Sequence, residues 1–165
     1  MSRYNENEKV QPILATQDIA ATATATSYIN VKNAVGPIEL VFQFGAITST
    51  DSTGEAVVTI EASTGGSSNA TEQAIAFKYR QSGAVDTDSM GAITDATTVG
   101  IAVVSTDDNV VLSAFVNPDS LAALGADFNF LRGVVTPTTD VTVTLVSVQA
   151  RFVPSYAGNA IPSAT

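Results

Sequence analysis

The stretch VTVTLVSVQARF, Val141 to Phe152, alternates apolar and polar residues along its length, but not in a single phase. Val141, Val143 and Leu145 are apolar, and so are Val146, Val148, Ala150 and Phe152, so the alternation slips by one residue between Leu145 and Val146. A period of two belongs to a strand with one face against a core, because successive side chains point to opposite faces of a sheet. A slip of one residue turns every later side chain over, unless the backbone absorbs an extra residue in a β-bulge or passes from one sheet to another. The stretch predicts a long strand with a bulge between Leu145 and Val146.

The same period recurs upstream. IELVFQF, Ile38 to Phe44, sets Ile38, Leu40, Phe42 and Phe44 against Glu39, Val41 and Gln43; AVVTIEA sets Val58 and Ile60 against Thr59 and Glu61. SYINV sets Ile29 and Val31 against Tyr28 and Asn30, and AIAFKYR puts Ile75, Phe77 and Tyr79 inward with Lys78 and Arg80 outward. With GIAVVS, NVVLSAFVN and FNFLRGVV these make about eight strands separated by turn-rich segments. That spacing predicts an all-β protein, an antiparallel β-sandwich of jelly-roll or Ig-like type. ATATAT, Ala21 to Thr26, reads as an edge strand or extended linker, since threonine suits a strand. One short helix is expected in NPDSLAALG, with Asn117 as N-cap, Pro118 at the first position, Asp119 in the first turn and Gly125 as the stop. Residues 1–14 read as an extended arm, 15–153 as the sandwich and 154–165 as a tail with two prolines.

The 165 residues suffice for one domain with a core of its own. Sixteen acidic residues against seven basic ones leave a net charge of −9, and the bases are scattered, so a nucleic-acid partner is not expected. An anionic membrane surface is disfavoured for the same reason. With neither Cys nor His in the chain, thiolate and imidazole chemistry, disulfides and the usual zinc ligands drop out together. MSRYNENEKV lacks a basic region followed by an apolar core, and no apolar run approaches the roughly 20 residues that span a bilayer. The expectation is a protein not exported by the general route, with no cofactor and no enzymatic activity.

The most varied chemistry lies in FKYRQSGAVDTDSMG, Phe77 to Gly91. Asp86, Asp88 and Gly91 match the first half of a calcium loop, but Met90 stands where an oxygen ligand belongs and Thr97 where a bidentate Glu should be. An Asp-rich turn is the better reading, with Asp86 and Asp88 as weak metal candidates at most. Lys78 and Ser82 could in principle make a nucleophile and base, yet no oxyanion-binding motif accompanies them. Lys78 and Arg80 are expected on an outer strand face, meeting Asp86 or Asp88. Carboxylates such as Glu39, Glu55 and Glu61 fall at turns or outward positions, where they are solvated. STGGSSNAT, Ser63 to Thr71, reads as a hairpin loop.

Taken together, ILATQDIAATATATSYINV, VTIEAST, AIAFKYRQSGAVDTDSMGAIT, VNPDSL and VSVQARF resemble small β-rich head-associated proteins of tailed bacteriophages and prophages, capsid decoration or cement proteins among them. The similarity runs from about Pro12 to Phe152 and lies in overall pattern. It implies a structural virion protein, made in the host cytoplasm and placed on the outer capsid surface. Its partners would be the major capsid protein lattice and further copies of itself, as a dimer or trimer. On this reading the contact candidates are Arg3, Tyr4, Pro12 and Ile13 in the arm, Lys78 and Arg80 on the outer face, and Pro154 and Tyr156 in the tail. The alternative is a carbohydrate- or host-surface-binding module of a head spike or tail, which the absence of Trp and the presence of only four Tyr make poorly supplied.

Overall fold

The computed structural model describes residues 8–20, 22–50, 54–67, 69–83, 89–104 and 109–154. In chain order the elements are β1 (Lys9–Asp18), β2 (Thr24–Ala25), β3 (Ile29–Asn30), β4 (Ala34–Ser49), β5 (Glu55–Ser63), β6 (Glu72–Ile75), β7 (Phe77–Gln81), β8 (Thr94–Ala96), β9 (Ile101–Val104), β10 (Val111–Val116), α1 (Pro118–Ala122), β11 (Phe130–Pro137) and β12 (Val141–Pro154). They form two antiparallel sheets. The first has the order β1-β12-β4-β10-β7-β8, and the second β2-β11-β5-β6 with β3 also on β11 and β9 also on β5. This is the β-sandwich the alternation predicts.

More strands are present than the eight expected because the second sheet is segmented. β2 pairs with Val134 and Val135 of β11 while β3 pairs with Phe130 and Leu131, so the two lie along one side of β11. In the same way β6 and β9 share one side of β5. The chain changes sheets at Ala76: Ile75 ends β6 in the second sheet, Phe77 opens β7 in the first, and both side chains are buried.

The core lies where the inner faces meet. Ile38, Leu40 and Phe42 of β4 have no exposed surface, nor do Val58 and Ile60 of β5 or Leu131 and Val135 of β11. Lys78 and Arg80 face outward, and Tyr79 packs partly buried against the core. Asn117 caps α1, its Oδ1 accepting from the Asp119 N–H at 3.1 Å, and Leu121 is the side chain the helix buries. The helix ends at Ala122, three residues short of Gly125, whose φ of 146° suits glycine.

The phase slip in β12 is absorbed differently from the expectation. Thr144 pairs with Ile47 and Val146 with Phe44, so Leu145 opposes both Gly45 and Ala46, and the extra residue sits on β4. A Cβ on Gly45 would stand 3.1 Å from the Leu145 Cβ, so glycine makes room for the close approach. On β12 itself the extra residue is Thr142, between Val141 opposite Ser49 and Val143 opposite Thr48. From there Thr144, Val146, Val148, Ala150 and Phe152 are all buried, leaving Val143 and Leu145 exposed on the other face.

The arm and sandwich boundary at residue 14 also moves. Lys9 to Leu14 belong to β1, paired with β12 from Lys9 opposite Phe152 onward. Ile13, read as an arm contact, is a core residue with 4% of its surface exposed. A proline and flanking polar residues hide the alternation of this edge strand, and only its pairing with β12 gives Ile13 an inner side.

Candidate functional site

The outer face of the first sheet collects most of the outward-facing chemistry. Cross-strand pairing sets Val10, Arg151, Glu39, Phe115, Lys78 and Asp95 in one row across six strands. Beside it runs a second row of Pro12, Gln149, Val41, Ser113 and Arg80. Residues opposite one another in an antiparallel sheet share a face, which is why widely separated parts of the chain meet here. Charges in the first row pair locally: Lys78 Nζ is 2.6 Å from Asp95 Oδ1, and Arg151 Nη1 is 4.0 Å from Glu39 Oε2. The Arg80 guanidinium lies 5.4 Å from the centre of the Phe115 ring. Val41 and Ser113, although outward-facing, are buried between these longer side chains. The Nε atoms of Arg80 and Arg151 are buried and lack a hydrogen-bond partner among the described residues.

One end of this face is apolar. Val153 is opposite Val35, and Val10 is opposite Arg151, two residues before Val153; the three valines are 39%, 55% and 53% exposed for Val153, Val35 and Val10. β1 begins here and β12 ends here, so Lys9 and Pro154, the ends of the described strands, both lie beside the valines. Lys9 lies 5.6 Å from the Phe152 ring centre, and burial pushes its ammonium below the ordinary lysine range.

A cleft of about 690 Å³ opens at the same end of the sheet. Pro37, Phe77, Ala96, Phe115 and Val116 give it an apolar floor, and Lys78, Asp95, Thr97, Asn117 and Ser120 form its rim. The rim's polar atoms are largely engaged within the fold. Lys78 holds Asp95, Asn117 Oδ1 caps α1, Ser120 Oγ donates to the Asn117 carbonyl at 2.5 Å, and Thr97 Oγ1 accepts from the Val99 N–H at 3.3 Å.

On the second sheet Arg132 is a hub. Its Nε donates to Glu61 Oε2 at 2.7 Å, Nη2 to Glu72 Oε2 at 2.5 Å and Nη1 to the Tyr28 hydroxyl at 2.7 Å, while Tyr28 donates to Glu72. Its guanidinium also sits 4.9 Å from the Tyr28 ring centre. Both carboxylates accept from Arg132, so the cluster ties β11, β5, β6 and the residue before β3 together.

Of the sequence candidates, Pro12, Lys78 and Arg80 lie on the outer face of the first sheet, Ile13 lies in the core, and Pro154 ends β12 opposite Ala34. Lys78 pairs with Asp95 rather than with the acidic turn expected to meet it. Asp86, Asp88, Arg3, Tyr4 and Tyr156 lie outside the described residues. Ser82, weighed as a nucleophile, accepts the Val111 N–H at 2.9 Å and so serves the sheet. Among the described residues no group of three or more carboxylates is placed to hold a metal ion, and no helix is long and apolar enough to cross a membrane. Phe115, Arg151 and the three valines are not singled out by sequence; their outward alternation signals a face, but not its membership.

No protein-family model matches the chain, and no curated protein does. Among solved structures it is similar to a chain in the structure of infectious bursal disease virus Gt strain, at 9% identity and a TM-score of 0.22, covering 89% of this chain and 41% of that one. It is also similar to a chain of the Gx strain structure, at 13% identity and a TM-score of 0.20, covering 95% and 45%. The chain thus spans less than half the length of either. Scores that low bear on neither fold nor function.

Proposed function

We propose that the chain is a structural virion protein, a decoration or cement protein that binds the outer surface of a tailed-phage head as a homo-oligomer and stabilises the lattice. The observation that carries this reading is the convergence, at one end of the first sheet, of the exposed valines Val10, Val35 and Val153 with Lys9 and Pro154, to which the two flanking segments are joined. A partner laid against that end would cover apolar surface and could be gripped by both segments. The internally paired charges of the adjoining row suit docking on a protein surface, since they need no counter-charge from the partner. Many copies on a lattice turn modest contacts into durable attachment. The sequence resemblance to head-associated phage proteins supports the choice of lattice.

A carbohydrate-binding role is the weaker reading, because the cleft's floor is apolar and the chain has no Trp and only four Tyr to stack on a sugar. The test is binding of the purified protein to undecorated phage heads, read by occupancy in cryo-EM and by particle survival on heating. Removal of residues 1–7 should lower occupancy while sparing β1; equal occupancy and equal particle survival would count against the preceding segment as a contact.

A further inference from the structure

We propose that in the free protein the cleft beside Phe115 is the seat of this chain's own segment, residues 155–165. The cleft calls for an apolar occupant: its floor is Pro37, Phe77, Phe115 and Val116, and on its rim Asn117 Oδ1 and the Ser120 hydroxyl are already bonded within the fold. The segment SYAGNAIPSAT has that chemistry. It carries no charged side chain in a chain of net charge −9, and it contains Tyr156, Ile161 and Pro162.

Connection favours the same occupant. β12 ends at Pro154 opposite Ala34, three residues before the cleft-lining Pro37 on the neighbouring strand. At about 3.3 Å per residue that step is roughly 10 Å, and the cleft's far wall on β7 lies two strand spacings further, roughly another 10 Å. The eleven residues of the segment reach up to about 36–40 Å when extended. Being tethered at the cleft's end, the segment is present there at an effective concentration of about millimolar.

The chain has no cysteine, so a disulfide trap reads without background. Thr98 also lines the cleft; in full-length protein, Thr98→Cys and Ile161→Cys in the segment are combined and oxidised under dilute conditions. The control pairs Ile161→Cys with Leu145→Cys, which sits nine residues up β12 from Pro154, about 30 Å away and beyond the reach of roughly 25 Å that seven residues allow. The cleft pair is expected to close within one chain at least about tenfold faster than the control. Closure no faster than the control would overturn the proposal, and so would products that are predominantly disulfide dimers, which would assign the cleft to a second copy's segment. As an independent readout, deleting residues 155–165 should raise the fluorescence of an apolar dye about twofold by uncovering the cleft, and unchanged fluorescence counts against it. Both measurements use the free protein, so their failure leaves the capsid reading standing, and failure to bind heads leaves this one standing.

Discussion

The ring of Phe42 on β4 lies directly against Gly133 on β11, across the full thickness of the sandwich: a Cβ on Gly133 would stand 2.6 Å from Phe42 Cζ and 2.9 Å from Cε1. The absence of a side chain on one sheet is thus filled by the largest fully buried side chain of the other. Gly133→Ala should therefore destabilise by about 1–3 kcal/mol through overpacking. Adding Phe42→Leu should recover part of that loss, so the double variant costs less in urea unfolding than the two single costs summed.

Removing the Arg132 hub strands two half-buried carboxylates. With side-chain exposures of 17% for Arg132, 23% for Glu61 and 26% for Glu72, the cluster lies between the surface and the buried limits. Arg132→Met should cost about 2–3 kcal/mol. Converting Glu61 and Glu72 to Gln in the same chain should restore part of it, measured by chemical denaturation; no restoration would mean that lost packing, not stranded charge, dominates.

Thr144 is fully buried, and its hydroxyl has no partner among the described residues. Thr144→Val removes that unsatisfied group while keeping the branched shape, and should stabilise by about 0.5–1.5 kcal/mol. Calorimetry should show a rise in Tm of about 2–4 °C for each kcal/mol gained.

The backbone N–H of Thr144, next to the Thr142 bulge, is taken up by Asp18, whose Oδ1 accepts from Thr144 and from Ala20, each at 3.0 Å. Asp18→Ala should cost about 1–2 kcal/mol. Hydrogen exchange at the Thr144 amide should accelerate in that variant more than at Val148, further along the same strand.

Val35 is 55% exposed, so Val35→Asp should change stability by less than about 0.5 kcal/mol. Occupancy on phage heads should fall in the same variant. Full occupancy with an unchanged melting curve would remove the valine end of the sheet from the proposed contact.

The fold is legible where strands are buried on one face and exposed on the other. Ile38 to Phe44 and Val58 to Glu61 alternate because one side meets the core and the other does not, and those assignments match the structure. β1 is less legible because Pro12 and its polar neighbours blur a pattern that only the pairing with β12 completes. The slip at Leu145 points to the right region, where the pairing with β4 is indeed irregular, but not to the division of the extra residues, Thr142 on β12 and one of Gly45 and Ala46 on β4: periodicity within one segment is blind to the extra residue its partner carries. For the site, outward positions such as Lys78 and Arg80 can be read locally. The row joining Lys78 to Glu39 and Arg151 cannot, because it is made by pairings between strands far apart in sequence.

The segmented flanks of the second sheet have a consequence for life at high density. A long straight flank is a template on which another chain can add strands and propagate into fibres. Here one flank is divided between β2 and β3 and the other between β6 and β9, while β1, the long outer strand of the first sheet, carries Pro12 and two register shifts. None offers a long unbroken ladder. A protein built this way can be crowded shoulder to shoulder without its sheets fusing, so that its association is governed by side-chain surfaces instead of by open backbone.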